Sequence, residues 1–310
     1  MLTPLQNVAM QFGYVEFPAV FEPDCEAGDW QYENVFTSFS EPPRVILTAS
    51  DLGTEQSSGH FAAVVGVAQD VTTTSFRLAG RNSDCSPGVS HMNWLALLET
   101  GKPQGSTKYV RMGTLFPQRF NRDCEPGDWN SWDVRFSEPA FGADPVIFAT
   151  AADRFAETAA VFQYATPAVP VARKRTTTGF TLLARNPDPG EGWSNFNYLA
   201  LHETVAVAGV PSGGAQIFVD SGQVAPLWFE PCAAFSDAWN QWAVTFDQAF
   251  LTPPTVLVTA FHRGKSGPAV AGMACYVTPN GFLLRARNTD CAAGEAGFNW
   301  VAFGYAVGCA

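Results

Sequence analysis

Three stretches of the chain are almost continuously apolar, and each follows one or two prolines. They cover residues 42–49, 144–150 and 253–260 and are rich in Val, Leu, Ile and Thr. A β-branched apolar run of this length is typical of a strand that is buried on both faces. Proline at the start of a strand removes no ladder hydrogen bond, so we predict a central strand at each run.

Two further segments follow each apolar run and alternate between polar and apolar residues. The first is a threonine-rich turn with a Phe strand, at residues 72–78, 176–182 and 278–284. In the third copy the turn contains Asn280-Gly281, a strong signal for a β-hairpin. The second segment is a closing strand that places Met92, Trp94 and Ala96 on one face. No segment has helical periodicity, so the pattern predicts all-β units of about six strands each.

This unit occurs three times in the 310 residues. Its clearest marker is an Arg-Asn-x-Asp motif at the end of each Phe strand, at residues 81–84, 185–188 and 287–290. A spacing of roughly a hundred residues is too long for a solenoid repeat and suits a small domain. We therefore divide the chain into residues 1–103, 104–210 and 211–310, called here the first, second and third repeats.

Composition and charge exclude some classes of function. Hydrophobic residues make up 46% of the chain and charged residues 15%, which favours a packed core over disorder. The formal net charge is −11, and the basic cluster at residues 173–175 is too short to bind nucleic acid. No apolar stretch approaches the length of a membrane span. The first residues lack a basic segment followed by an apolar run, so we expect no signal peptide.

The seven cysteines favour an oxidising environment, and hence an extracellular or surface-associated protein. Cys25 and Cys85 occupy places in the first repeat that Cys232 and Cys291 occupy in the third. We hypothesise one disulfide within each pair, which would stabilise the fold by a few kcal/mol through the loop that it closes. The alternative is a set of reduced, buried thiols. The remaining cysteines would form a third bridge, Cys275 with Cys309, and leave Cys124 unpaired.

The proline-marked strand, the Thr-x-x-Gly-Phe hairpin and a closing Trp-x-Ala strand together resemble the H-type lectin domain, the family of snail agglutinins and of the discoidin C-terminal domain. The match is clearest in the third repeat, at residues 253–256, 277–282 and 298–302. The resemblance implies three tandem six-stranded antiparallel β-sandwiches, arranged in one chain as a pseudo-threefold trimer. It also implies binding of galactose-type sugars, notably N-acetylgalactosamine, near the junctions between repeats and without a metal.

The chain departs from this family at the residues that contact sugar. The family has an aromatic residue just after the Phe strand, where this chain has Ser83-Asp84, Pro187-Asp188 and Thr289-Asp290. The family's sugar-binding Arg corresponds to Val67, Val171 and Met273.

The repeated Arg-Asn-x-Asp motifs are the predicted ligand contacts, because guanidinium, amide and carboxylate groups bond paired sugar hydroxyls. An aromatic ring near the second motif would cover the apolar side of a sugar. The alternative is structural, in which Arg and Asn pair within the protein and close a turn. The predicted ligand-binding residues are Arg81, Asn82, Asp84, Arg185, Asn186, Asp188, Trp193, Arg287, Asn288 and Asp290.

Six further aromatic residues recur between repeats. Trp94, Tyr198 and Trp300 alternate with small residues in the closing strands and are predicted core residues. Trp30, Trp129 and Trp239 follow Asp in irregular segments. On one interpretation these three tryptophans line a ligand site at a junction between repeats. On the other they pack beneath a loop that a disulfide tethers.

Little in the sequence suggests catalysis. The four histidines share no repeat position and form no metal-binding motif, so we expect neither an enzyme nor a cofactor or metal. The acidic segments at residues 24–29 and 123–128 have two interpretations, a Ca²⁺ site and a solvated loop, and we favour the solvated loop. The expected function is carbohydrate binding by a monomeric chain with glycan or glycoprotein partners. The alternative is an adhesion or protein-docking module of a surface or viral fibre assembly.

Overall fold

The structure is a computed structural model and describes residues 8–17, 31–51, 64–82, 90–99, 110–116, 118–120, 129–136, 140–153, 169–186, 192–202, 217–230, 239–262, 268–289 and 293–305. Every regular element in these ranges is a β-strand, so the predicted all-β class is confirmed. The first repeat has six strands: β1 (Val8–Glu16), β2 (Gln31–Phe36), β3 (Arg44–Asp51), β4 (Val64–Gln69), β5 (Ser75–Asn82) and β6 (His91–Glu99).

The second and third repeats follow the same order of strands. In the second repeat, β7 and the short β8 both pair with the closing strand β13, as the single strand β14 pairs with β19 in the third. The strands of the second repeat are β7 (Val110–Thr114), β8 (Gln118–Phe120), β9 (Asn130–Arg135), β10 (Val146–Asp153), β11 (Val169–Thr176), β12 (Gly179–Arg185) and β13 (Gly192–Leu201). Those of the third repeat are β14 (Ile217–Phe229), β15 (Asn240–Thr245), β16 (Thr255–Phe261), β17 (Val270–Thr278), β18 (Gly281–Asn288) and β19 (Gly294–Tyr305).

Each of the three sheets is built from two repeats. The strand orders are β1-β6-β3-β17-β18-β15, β2-β5-β4-β10-β13-β7 and β14-β19-β16-β11-β12-β9. Each repeat thus gives one group of three main strands to one sheet and a second group to another. The first repeat shares sheets with the third and the second, and the second shares a sheet with the third, so the three repeats form a closed cycle.

The expectation of wholly antiparallel sheets is only partly correct. Strands of the same repeat pair antiparallel, but the pairs that join repeats, β3 with β17, β4 with β10 and β11 with β16, are parallel. The apolar strands β3, β10 and β16 stand at these joints, and each also pairs with the closing strand of its own repeat. Parallel pairing is found where both faces of a sheet are covered, and the two covered faces of these strands explain why most of their residues are apolar.

Within each repeat, the two groups of strands enclose a core around one recurring aromatic pair. Phe76 packs edge-on against Trp94 at a centroid distance of 5.6 Å, and Phe180 against Tyr198 at 5.3 Å. The third pair, Phe282 with Trp300, lies at 5.7 Å. Trp94 and Trp300 are buried and Tyr198 is partly buried, which confirms the prediction that all three rings belong to the core.

A glycine of the first strand lies opposite each of these closing-strand rings. The register pairs Gly13 with Trp94 and Gly222 with Trp300. A Cβ atom at Gly222 would lie 2.8 Å from Trp300 Cζ2, which is too close for any other residue without movement of the ring. The recurrence of glycine at this point in the repeats is therefore explained by ring packing.

A fourth core lies between the three repeats. It contains equivalent residues of each central strand, Ile46, Phe148 and Leu257, together with neighbours from the closing strands such as Leu95 and Val301. The side chains on one face of each central strand thus fill the core of their own repeat, and those on the other face fill the shared core.

Buried threonines join the repeats in a second cycle. Thr48, Thr150 and Thr259 hold the same position in the three central strands, and each hydroxyl bonds the main chain of another repeat. The threonine of the first repeat bonds the third repeat, that of the third repeat bonds the second, and that of the second repeat bonds the first. The bonds are Val258 N to Thr48 Oγ1 (3.1 Å), Leu47 N to Thr150 Oγ1 (2.8 Å) and Ala149 N to Thr259 Oγ1 (3.3 Å).

Buried asparagines of the closing strands follow the same direction. Each side-chain amide donates to a main-chain carbonyl of a neighbouring repeat, so the polar groups inside the shared core are paired. The bonds are Asn93 Nδ2 to Val256 O (2.7 Å), Asn197 Nδ2 to Val45 O (3.1 Å) and Asn299 Nδ2 to Ile147 O (2.9 Å).

Just before each hairpin, one exposed residue has a positive φ at the same place in every repeat. The angles are 50° at Asp70, 46° at Lys174 and 49° at Tyr276. The register of β11 with β12 and of β17 with β18 shifts at this point, as in a β-bulge. A bulge redirects the side chains beside it, and here it lies at or near the end of the strand that joins one repeat to the next.

Candidate functional site

The Arg-Asn pairs of the repeated motif end the strands β5, β12 and β18 or directly follow them, as predicted. Their side chains are buried: Arg81, Arg185 and Arg287 are 7%, 3% and 4% exposed, and the adjoining asparagines are equally covered. Buried guanidinium and amide groups make their contacts inside the protein, which favours the structural interpretation of the motif. The acidic members Asp84, Asp188 and Asp290 lie outside the described residues.

The register places these arginines at the junctions between repeats. Val67 pairs with Ala79 across β4 and β5 and with Ala151 across β4 and β10. All three residues pack in the core of the second repeat. Arg81 lies two residues beyond Ala79 and therefore on the same face, which the second repeat covers. By the corresponding registers, Arg185 lies on the face shared with the third repeat and Arg287 on the face shared with the first.

Asn288 shows what the motif does in the third repeat. Its side-chain amide donates to the main-chain carbonyl of Glu230 at 2.7 Å, which fixes the end of β14 against the end of β18. The neighbouring Thr289 amide donates to the carbonyl of Ala269 at 2.9 Å. The third motif therefore holds the end of β18 against the end of β14 and the start of β17.

The other predicted contact residue, Trp193, lies in the strand β13, where its backbone pairs with Arg119. The position of its side chain falls outside the described part of the structure. The predicted disulfides Cys25–Cys85 and Cys232–Cys291 also lie outside it, as do Cys124 and Cys309, whereas Cys275 is buried in β17.

Two of the repeated tryptophans lie at junctions. Trp129 of the second repeat packs edge-on against His262 of the third, with ring centroids 5.8 Å apart. Trp239 of the third repeat packs against a small cluster that includes Ala49 of the first repeat. Both rings are partly buried, so they serve as packing between repeats. Trp30 lies outside the described residues.

The positions that correspond to the family's sugar-binding Arg are filled by core packing. Val67 and Val171 each pack in the core of a neighbouring repeat, and Met273 packs with Ala49 of the first repeat. All three residues are at most 1% exposed. These three positions therefore make apolar contacts between repeats.

A different polar cluster, which no sequence motif marks, lies at the junction between the first and second repeats. It consists of Tyr32 on β2, Arg77 on β5, and Gln69 and Asp70 at the end of β4, and we call it the Tyr32 cluster. Arg77 Nη2 lies 3.1 Å from Asp70 Oδ2, and the guanidinium carbon lies 4.9 Å from the centre of the Tyr32 ring. Tyr32 is 48% exposed, and the Arg77 and Asp70 side chains are 43% and 45% exposed.

Gln69 is the buried member of this cluster. It pairs directly with Arg77 in the register of β4 and β5, so both side chains lie on the same face. Gln69 is only 7% exposed. Its Oε1 atom and the Nε atom of Arg77 are buried and have no hydrogen-bond partner among the described residues. No sequence motif marks these residues, because none of them recurs in the other repeats.

A small cavity lies where the three central strands meet. Its volume is about 60 Å³, and its walls include Thr48, Thr150 and Thr259 with apolar residues of β4, β11 and β17. The threonine hydroxyls already bond the main chain across the repeats, so the cavity wall offers few polar groups to a ligand.

No group of three or more His, Cys, Asp and Glu side chains gathers in the described ranges. The acidic segments 24–29 and 123–128 fall outside those ranges. No helix long and apolar enough to cross a membrane occurs among the residues that the structure describes.

A scan against protein-family models finds no matching family, and comparisons with curated proteins and with solved structures find no match. The resemblance to H-type lectins therefore rests on the sequence motifs.

Proposed function

We propose that this chain is a non-enzymatic carbohydrate-binding protein, an intramolecular pseudo-trimer of β-sandwich repeats that contacts glycans near its repeat junctions. The observation that carries the proposal is the closed cycle of shared sheets and of Thr and Asn hydrogen bonds. The H-type lectin resemblance implies three domains around a threefold axis with a sugar at each junction. A cycle of three repeats in one polypeptide provides the same set of junctions.

The resemblance suggests galactose and N-acetylgalactosamine as the first sugars to test. Because Val67, Val171 and Met273 occupy the family's Arg positions, the polar contacts to any sugar must come from other residues. Up to three junctions on one body would raise the avidity for clustered glycans without requiring high affinity at each. The proposal further places the protein outside the cell or at its surface, with disulfides Cys25–Cys85 and Cys232–Cys291.

A glycan array probed with the intact, oxidised chain tests this proposal. Binding to one class of glycan, inhibited by the corresponding free sugar, is the expected result. A blank array obtained with protein whose near-ultraviolet circular dichroism shows fixed aromatic packing would reject it.

The same experiment separates glycan binding from the second candidate, an adhesion or protein-docking module. The observation that favours docking is the exposure of large apolar side chains, with Phe36 83% and Phe116 85% exposed. A docking module would leave the array blank, and its binding to a protein partner would be weakened by Phe36→Ser or Phe116→Ser.

A further inference from the structure

We propose that the Tyr32 cluster, formed by Tyr32, Arg77, Asp70 and Gln69, is the glycan-binding site of this protein and takes a neutral sugar ring. This inference rests on the proposed function and assigns it to one junction, that between the first and second repeats. The cluster lies on the outer face of β2, β5 and β4, where the neighbouring Val67 and Ala79 are already covered by the second repeat.

The Tyr32 ring supplies the apolar surface that sugar recognition requires. The Arg77 guanidinium lies over one side of the ring, with its carbon 4.9 Å from the ring centre, a distance typical of a cation–π contact. The residue is still 48% exposed, so ring surface is open to solvent. The C–H face of a hexose can pack on such a ring while its hydroxyl groups reach the polar groups beside it.

The two buried polar atoms without partners point to a hydroxyl-bearing ligand. Arg77 Nε is a donor and Gln69 Oε1 is an acceptor, and they belong to residues directly opposite each other. A hydroxyl group accepts from the first and donates to the second, whereas a carboxylate satisfies only the donor and an ammonium only the acceptor. Because the Arg77 side chain is 43% exposed, it can turn to admit the hydroxyl without disturbing the core.

The charge of the site favours a neutral sugar. Arg77 is already paired with Asp70 at 3.1 Å, so the cluster carries no net charge. The whole chain has a net charge of −11, which repels anionic glycans. Asp70 adds a carboxylate acceptor for a second sugar hydroxyl, and the positive φ of 50° at this residue ends β4 and turns the chain beside Arg77.

The equivalent positions of the other repeats do not reproduce the cluster. Tyr32 corresponds to Ser131 and Gln241, since β2, β9 and β15 pair in the same register with β5, β12 and β18. In the second repeat Thr181 replaces Arg77, and its hydroxyl donates to Asp133 at 2.7 Å. In the third repeat Leu283 and Cys275 replace Arg77 and Gln69 and are part of an apolar cluster.

The third repeat contains one ring and guanidinium pair of its own. The Arg285 guanidinium carbon lies 5.4 Å from the centre of the Tyr276 ring, and Tyr276 is 40% exposed. At the position of Gln69 the third repeat has the buried Cys275, so this pair lacks the buried amide of the Tyr32 cluster and serves as an internal comparison.

Fluorine NMR of the intact chain labelled with fluorotyrosine tests the assignment. The seven tyrosines give few resonances, and Tyr32→Phe and Tyr276→Phe identify two of them. The probes are free galactose, N-acetylgalactosamine and N-acetylglucosamine, with N-acetylneuraminic acid as the charged comparison. We expect a neutral sugar to shift the Tyr32 resonance, and we expect no such shift in Arg77→Ala.

Matched variants give the quantitative form of the test. Tyr32→Ala, Arg77→Ala and Gln69→Ala should each weaken binding of the array glycan about tenfold or more. Ser131→Ala and Gln241→Ala, at the equivalent positions of the other repeats, should bind as the unmodified chain does. Arg77→Lys should remain weak, because lysine keeps the charge but has no Nε donor at this place.

The outcomes separate this inference from the proposed function. If the array binds a glycan and the Tyr32 and Arg77 variants bind equally well, the protein is a lectin and the site lies elsewhere. A shift of the Tyr276 resonance in place of Tyr32, or a preference for N-acetylneuraminic acid, likewise overturns the assignment. A blank array with no shift of any tyrosine resonance overturns both.

Discussion

Thr150 of the second repeat and Leu47 of the first exchange two hydrogen bonds inside the protein. The Leu47 amide donates to Thr150 Oγ1 at 2.8 Å, and the same hydroxyl donates to the Leu47 carbonyl at 3.0 Å. Thr48 makes the same exchange with Val258 of the third repeat, at 3.1 and 3.2 Å. Each threonine thus joins two central strands that belong to different sheets. The bonds of Thr48, Thr150 and Thr259 together form the cycle that links the three repeats.

Thr150→Val should destabilise the whole chain. Valine has the shape of threonine but leaves the Leu47 amide and carbonyl buried without partners, at a cost of about 1–3 kcal/mol. Denaturant unfolding measures the loss, and Thr74→Val at an exposed position should have little effect. Equal effects of the two variants would show that the bond between repeats does not stabilise the fold.

Trp300→Ala should cost about 3–5 kcal/mol, because it opens a cavity against Phe282 and removes the ring that covers Gly222. Trp228 is the control, since it is 57% exposed and its Nε1 bonds only the side chain of Glu230. The comparison uses the midpoint of unfolding in the same denaturant. A Trp228→Ala variant as unstable as Trp300→Ala would contradict this assignment of the core.

Asp220 should make the stability depend on pH. Burial raises the pKa of this carboxyl group, although both oxygens accept main-chain amides, from Ser221 and Asp247. The folded chain therefore holds the proton more tightly than the unfolded chain. The contribution of Asp220 to the free energy of unfolding is complete below the pKa of the unfolded chain and is lost as the pH rises through the pKa of the folded chain.

The test is the free energy of unfolding of the unmodified chain and of Asp220→Asn at several pH values from the unfolded pKa upward. The difference in stability between the unmodified chain and the variant should fall as the pH rises. A difference that stays constant, or that grows with pH, would contradict the raised pKa.

The strands and their buried faces could be predicted from the sequence, because they depend on local patterns of apolar residues. The proline-marked runs became β3, β10 and β16, and the aromatic residues of the closing strands became core rings. The parallel pairs between repeats could not be predicted in this way, since they join segments far apart in the chain and leave no mark in either strand.

The candidate site was predicted less well, for a related reason. The motif consists of residues that recur in every repeat, and the recurring Arg81, Arg185 and Arg287 are buried between repeats. Tyr32 and Arg77 come together only when β2, β5 and β4 align, and no other repeat has the same residues. The residues that recur in all three repeats belong to the shared scaffold, whereas the proposed site lies where the first repeat differs from the other two.

The most direct test of the central claim is native mass spectrometry of the intact chain with the glycan that binds most strongly on the array. The account predicts a single chain of 33.4 kDa that carries the sugar, because one polypeptide already provides the three-repeat body. A species with the mass of three chains, or a single chain that carries no sugar at glycan concentrations well above those used on the array, would contradict it.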